Sequence, residues 1–389
     1  MTPGARLQAA IVVLDDILGG APPERALTAW SRASRYAGSR DRAAVRDIVF
    51  DALRQRRSAL WRAGAEVETG RALVIGLTAP DCAGFGEGTY APAPLSAAER
   101  APIRDLTGAT DPIRGDYPDA VAEAWATSLG AEAATVAALL RHRAPTDLRV
   151  NTLRGTVAEA RAALAEDGVI VEAVAEVPGA LRVLEGARRI SGGQAYASGL
   201  VELQDAASQL TVHLAAPKPG DAVLDYCAGG GGKTLALAAA MGGQGRLCAH
   251  DADPRRMRDL GPRALRAGAQ IDVVHPGDIP QGAFDLVFVD APCSGSGAWR
   301  RDPAQKWRVD AGRLAELAAL QDRVLDAARV YVRSGGRLAY VTCSLFSIEN
   351  EDRMDALCDR WPAAHLGPTR RLLPGAPGDG FFFGEIGTR

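Results

Sequence analysis

Apolar positions in the first 75 residues recur at helical spacing. Leu7, Ile11, Leu14 and Leu18 fall on one face, and Val45, Ile48, Val49, Ala52, Leu53 and Leu60 repeat the pattern. Residues 77–117 lose that period and are rich in Gly, Pro and Ala, which predicts loops with a short helix at 96–104. A further helix is expected over 118–143. The period then changes. Residues 148–152 and 169–177 read as strands around a helix at 156–166, where Thr156 and Glu159 have the spacing of a capping box. From Gly220 onward strands and helices alternate, the signature of a doubly wound parallel sheet. Strands are expected at 222–227, 245–251, 271–274, 284–290 and 337–343. Leu317, Leu320, Val324, Ala327 and Tyr331 mark an amphipathic helix before the last, and Phe381-Phe382-Phe383 suggests an added strand. The predicted organisation is a helical domain over 1–142, a small α/β module over 143–200, and a Rossmann-like α/β domain over 201–389.

Composition narrows the class. Hydrophobic residues make up 47% of the chain and charged residues 24%, as in a soluble globular protein of several domains. No apolar run reaches membrane-spanning length, and the N-terminus lacks the basic head and apolar stretch of a signal peptide. The six cysteines are scattered and form no CxxC pair, so neither a disulfide framework nor a zinc site is expected. These features predict a cytoplasmic location, with no metal and no membrane partner; nothing in the chain implies an obligate protein partner. A net charge of −2 excludes a globally basic nucleic-acid binder. Locally the balance differs: residues 32–62 hold nine arginines against Asp41, Asp47 and Asp51, a segment able to meet phosphates or simply to form a solvated face. The only lysines are Lys218, Lys233 and Lys306, which suggests that each serves where a compact ammonium is needed.

Chemistry concentrates at three predicted strand ends. Asp225-Tyr-Cys-Ala-Gly-Gly-Gly-Gly-Lys-Thr234 follows the first strand and opens a helix, and its glycines permit a tight turn and close approach of backbone to a ligand. Cys227 stands where a phosphate-binding P-loop needs its first glycine, so that motif is excluded. Asp225 with Gly229 and Gly231 suits an S-adenosylmethionine site. Asp251 ends the second strand, where a carboxylate accepts from ribose hydroxyls, and Asp278 follows the third, within reach of an adenine amino group.

Two further strands end in thiols, Asp290-Ala-Pro-Cys293 and Thr342-Cys343-Ser344. A buried cysteine often only fills space. Here two of them close strands beside a glycine loop, where ligands bind in open α/β sheets. A thiol in place of an aromatic clamp points to methylation at carbon. A thiolate adding to C6 of a pyrimidine turns the ring into an enamine, and C5 can then attack a methyl sulfonium. Asp290 could share the proton near N3. The target base must leave any stack, which is easiest in single-stranded or loop RNA.

These motifs resemble the RNA 5-methylcytosine methyltransferases of the RsmB/Nop/Sun type. Asp225–Thr234 resembles that family's LDxCAAPGGKT. Asp290-Ala-Pro-Cys293-Ser-Gly-Ser-Gly297 with Arg300-Arg-Asp-Pro303 and Lys306-Trp307 resembles its DAPCSGxG, RRxP and KW elements. Thr342-Cys343-Ser344 with Glu349-Asn350-Glu351, Leu203–Gln209 and Gly378-Asp-Gly-Phe-Phe382 also fit. The likeness is strong over 145–389. It implies a class I S-adenosylmethionine-dependent fold, with Cys343 as nucleophile and Cys293 assisting release of the product. By the same resemblance Cys227, Ala228, Gly229, Gly230, Gly231, Gly232, Lys233, Asp251, Asp278 and Asp290 contact the cofactor, Lys233 also lining the catalytic pocket. Residues 143–200 would be an RNA-contacting extension and 1–142 an antitermination-factor-like RNA-binding domain. Ribosomal RNA is the expected substrate, with transfer RNA as the alternative. One departure is Gly229-Gly230, where the family has Ala-Pro; it predicts a looser loop and lower cofactor affinity.

Three other readings stay open on the residues. A DNA cytosine-C5 enzyme would use Cys293 as nucleophile, normally followed by glutamine where Ser294 stands. An RNA-binding assembly factor with weak or vestigial methylation would suit Gly229-Gly230. A small-molecule methyltransferase would need neither the arginine-rich segment nor the module.

Overall fold

The computed structural model describes residues 1–100 and 104–388. The helix expected at 96–104 falls partly outside the described residues; residues 97–100 form turns. The chain divides into two units. One comprises residues 1–126, 130–143 and 299–310, the other 127–129, 144–298 and 311–389.

The first unit is helical, with helices Pro3–Leu18, Pro23–Ala33, Ser39–Arg54, Arg56–Ala63 and Gly70–Thr78. Leu7, Ile11, Leu14, Val45, Val49, Ala52 and Leu53 form its core, with Leu18, Ile48 and Leu60 packed at its edge. The continuous helix expected over 118–143 is broken. Gly130 adopts φ 50°, ψ −124°, a conformation a β-carbon disfavours, and divides helix Ala122–Leu129 from Ala133–Leu140. Residues 299–310 are built into this unit. Trp299 stacks on Trp125 with ring centroids 5.8 Å apart. Lys306 Nζ donates to the Arg54 carbonyl (2.9 Å) and Trp307 Nε1 to the Leu53 carbonyl (2.9 Å), so both cap the C-terminal end of helix Ser39–Arg54. Burial, opposed by the Asp116 charge and aided by Arg141 and Arg54, pulls the Lys306 ammonium down to about 7.

The second unit holds two sheets. The small sheet contains β1 (Asp147–Val150), β2 (Ile170–Ala173), β3 (Ala180–Glu185) and β4 (Val201–Leu203) in the order β2-β3-β1-β4, antiparallel throughout. Helix Val157–Glu166 lies between β1 and β2 in the chain, with Thr156 and Glu159 capping its start reciprocally as their spacing predicts.

The large sheet contains β5 (Ala222–Asp225), β6 (Arg246–Ala249), β7 (Asp272–Val273), β8 (Phe284–Asp290), β9 (Val332–Thr342), β10 (Ala364–Leu372) and β11 (Phe381–Thr388). Their order is β10-β11-β9-β8-β5-β6-β7. Strands β5 to β9 pair in parallel, and β11 joins β9 and β10 antiparallel. The fold is the α/β class I S-adenosylmethionine-dependent methyltransferase fold. Its core is the apolar run of β8, with Leu286, Val287, Phe288 and Val289 all fully buried. The strand order reverses between β5 and β8, which opens a crevice at their carboxyl ends.

The helix before β9 spans Ala311–Ala328, and its buried stripe is Leu314, Leu317, Ala318, Gln321, Leu325 and Ala328. This is rotated from the expected face: Leu320 and Val324 are half-buried and Ala327 is exposed. A glutamine occupies the stripe because it carries hydrogen bonds below the site.

Candidate active site

Three loops meet at the crevice. The loop after β5 leaves through Cys227 and Ala228 and enters helix Gly232–Ala240. Gly229 and Gly231 take positive φ, +50° and +82°, and a β-carbon on Gly231 would sit 2.3 Å from Leu260 Cδ1. Asp225, fully buried beneath the loop, accepts from Thr234 Oγ1 at 2.6 Å. Burial raises its carboxyl to about 7 against the pull of that hydrogen bond, with the Asp290 charge adding to the rise. Burial, reinforced by Asp225 and Asp290, also pushes the Cys227 thiol well above its ordinary range, so this cysteine is a neutral lining group.

A cavity of 200 Å³ lies over this loop. Cys227, Ala228, Gly229, Gly230, Gly232, Lys233 and Asp290 line it. Asp251 braces it from behind: nearly buried, it accepts from the Gly229 amide at 2.9 Å and the Asp253 amide at 2.9 Å. Asp278 ends a turn after β7, is exposed, and is not among the lining residues. Three lining residues were not singled out in the sequence: Gln204, Ser208 and Arg256. Gln204 and Ser208 lie inside the 203–209 motif, which was their signal. Arg256, paired with Asp251 at 3.1 Å, had none.

Lys233 joins this cavity to the thiols. Its Nζ donates to Asp290 Oδ2 at 2.7 Å and lies 5.1 Å from the centre of the Phe381 ring. Strands β8 and β9 pair Asp290 with Val341, so Cys293 and Cys343 leave adjacent strand ends. Their Sγ atoms lie 3.4 Å apart. The hydrogen bond with Cys343, together with burial, raises the Cys293 thiol well above its ordinary range, which keeps its proton in place. Two thiols in contact, and a carboxylate paired with an ammonium, thus stand at the carboxyl ends of the sheet beside the glycine loop.

Residues 212–383 match the family described as 16S rRNA methyltransferase RsmB/F, and residues 117–190 match the ferredoxin-like domain described for RsmF/B-like methyltransferases. The ribosomal RNA small subunit methyltransferase B of Sodalis glossinidius is 33% identical over 312 residues, 76% of this chain and 69% of that protein. The chain belongs to the RsmB/F methyltransferase family. The protein of the same name from Vibrio cholerae is 36% identical over 63% of this chain and 59% of its own length. The chain thus spans about three fifths of the curated relatives it matches first. A solved structure from Pyrococcus horikoshii titled a methyltransferase homolog is 26% identical, with a TM-score of 0.63 over 72% of this chain and 98% of that one.

S-adenosylmethionine is the cofactor of this family, and the residues present fit it. The Gly229–Gly232 backbone stands at a helix N-terminus, and the Asp251 carboxylate, which accepts from two amides and pairs with Arg256 through Oδ2, keeps acceptor capacity on Oδ1.

Proposed function

We propose that this chain transfers a methyl group to C5 of a cytosine in RNA, with ribosomal RNA as the substrate, through a covalent bond between Cys343 and C6. The observation that carries the reading is the Cys293–Cys343 pair, 3.4 Å apart at adjacent strand ends beside Lys233 and Asp290. Such a pair suits a reaction in which one sulfur adds and the other assists release. S-adenosylmethionine, when bound, supplies the methyl group as a sulfonium electrophile.

Cys343 adds its sulfur to C6, and the proton it gives up ends on N3 of the ring. Asp290, held by Lys233, faces N3 and shares the proton that addition places there. The electron pair at C5 would then form the new carbon–carbon bond to the methyl group, the methyl–sulfonium bond breaking with its electrons left on sulfur as a neutral thioether. Loss of the C5 proton to a base reforms the ring double bond and expels the Cys343 sulfur. Cys293, whose sulfur lies 3.4 Å from that of Cys343, assists the release. Glycine-loop residues 227–232 and Asp251 hold the cofactor. A proposed RNA surface lies on the helical unit, where Arg32, Arg35 and Arg40 are exposed around Tyr36.

The test is trapping on RNA. Wild type, Cys343→Ala and Cys293→Ala are incubated with cellular RNA and S-adenosylmethionine and run on a denaturing gel. An adduct that accumulates in Cys293→Ala and is lost in Cys343→Ala supports the assignment, and sequencing the trapped RNA names the substrate. An adduct that needs Cys293 instead overturns it in favour of the DNA-enzyme chemistry.

A further inference from the structure

The residue after each cysteine converges on one buried carboxylate. Ser294 follows Cys293 and donates to Glu349 twice, from its amide to Oε1 (2.8 Å) and from Oγ to Oε2 (2.5 Å). Ser344 follows Cys343 and donates from Oγ to the same Oε2 (2.5 Å). Gln321, the glutamine in the buried stripe of its helix, adds a bond from Nε2 to Oε1 (3.1 Å). Glu349, Ser344 and Gln321 are fully buried, and Ser294 is nearly so. These four donors are neutral groups. A buried polar group is costly unless it is hydrogen-bonded, and these four bonds satisfy one carboxyl group from three separate segments of the chain.

The surrounding bonds repeat the pattern. Asn350 accepts from Thr342 Oγ1 (2.6 Å) and donates to the Ser344 carbonyl (3.0 Å), gripping the strand end on both sides of Cys343. The Glu349 carbonyl accepts from Tyr340 in β9 (2.6 Å). Ser296, in the loop after Cys293, accepts from the Leu345 amide (2.7 Å). These bonds tie residues 349 and 350 to the end of β9 and to Ser344, and the two cysteine loops to each other.

We propose that Glu349 is a positioning residue: through Ser294 and Ser344 it clasps the two cysteine-bearing loops and sets the 3.4 Å reach between Cys293 and Cys343. The proposal rests on the two-thiol reading above, because only a reaction passed between two sulfurs needs them held in register. Near-attack geometry is sensitive to small displacements. A loosened clasp therefore slows turnover while leaving RNA binding, made elsewhere, in place.

Two measurements on the full chain test this. The first needs no turnover: the Cys293–Cys343 disulfide is equilibrated against oxidised and reduced glutathione, with two thiols oxidised per glutathione disulfide reduced, and quantified by peptide mass spectrometry. Glu349→Gln replaces an acceptor oxygen with an amide donor facing two hydroxyls, and is expected to lower the equilibrium constant by about fivefold, the worth of one net hydrogen bond. The second is steady-state kinetics on RNA, where kcat is expected to fall by about tenfold or more with KM changed by less than about twofold. If Glu349→Gln fails to fold, the Ser294→Ala/Ser344→Ala pair, which keeps the carboxylate and the Ser294 amide bond, is measured in its place. An unchanged disulfide equilibrium overturns the clasp. A lowered equilibrium with unchanged kcat overturns its part in turnover. If the equilibrium falls but the RNA adduct still forms in Cys343→Ala, the clasp stands and the two-thiol chemistry falls.

Discussion

Lys233 Nζ lies 2.7 Å from Asp290 Oδ2, one side chain coming from the first turn of helix Gly232–Ala240 and the other from the last residue of β8. Burial pulls the ammonium down, but the Asp290 charge and hydrogen bond outweigh it, and the group stands above the ordinary lysine value of 10.5. A raised lysine contributes stability that is fully present below its unfolded value and is lost as pH rises through the folded one. Wild type is therefore expected to lose its advantage in Tm over Lys233→Met only above about pH 10. The same substitution leaves Asp290 without its partner, and kcat is expected to fall by about 100-fold or more. Thermal melts between pH 8 and 11 and steady-state kinetics on RNA check the two parts separately.

Asp225 gives the opposite sign. Its carboxyl holds its proton to about 7 in the fold and releases it near 3.8 when unfolded. Between those values the folded state binds more protons, so this residue makes stability fall as pH rises. Asp225→Asn removes that slope. The variant is expected to gain on wild type in Tm from pH 5 to pH 8, with the accepting bond from Thr234 retained by the amide oxygen. A difference in Tm that is flat across this range refutes the assignment.

Gly231 offers a steric prediction. Its φ of +82° and the 2.3 Å approach to Leu260 Cδ1 leave no place for a β-carbon. Gly231→Ala is expected to cost about 1–3 kcal/mol of stability and to weaken S-adenosylmethionine binding by displacing the loop. Calorimetric titration of the cofactor into the variant reads the second effect. Gly232→Ala, whose β-carbon would meet no protein atom within 4 Å, is the matched control for stability alone, because Gly232 lines the cavity.

Tyr36 is 74% exposed among Arg32, Arg35 and Arg40, a grouping suited to stacking and phosphate pairing. Tyr36→Ala is expected to weaken RNA binding by about tenfold. Arg35→Ala is expected to reduce the dependence of affinity on salt, since leaving one phosphate unneutralised lowers that slope by about one. Both should leave kcat at saturating RNA unchanged. Filter binding across salt concentrations distinguishes them from substitutions that act through folding.

The parallel sheet and both thiols were legible because they rest on local signals: apolar runs of strand length, each closed by a motif. β10 was not. Its residues are mostly exposed, as befits an edge strand, and carry no alternation. The misplaced face of helix Ala311–Ala328 has a related cause. A polar side chain belongs in a core only when partners supplied from far along the chain satisfy it, and Gln321 finds them on Glu349 and the Pro292 carbonyl. Glu349 stood in a quoted motif without a role, because its partners at 294 and 344 converge only in three dimensions. Helix 118–143 failed for the converse reason: apolar spacing ran through Gly130, whose backbone conformation ends it.

The membership of residues 299–310 in the helical unit bears on how this protein can be dissected. Shortening the chain to residues 144–389 would strip Lys306 and Trp307 of the carbonyls they cap and Trp299 of the indole it stacks on. An ammonium and two indoles would then face water, a few residues downstream of Cys293. Lost activity in such a fragment would report a broken scaffold and say nothing of where RNA docks. Single substitutions on the exposed arginine face, in an otherwise whole polypeptide, are the cut that this architecture permits.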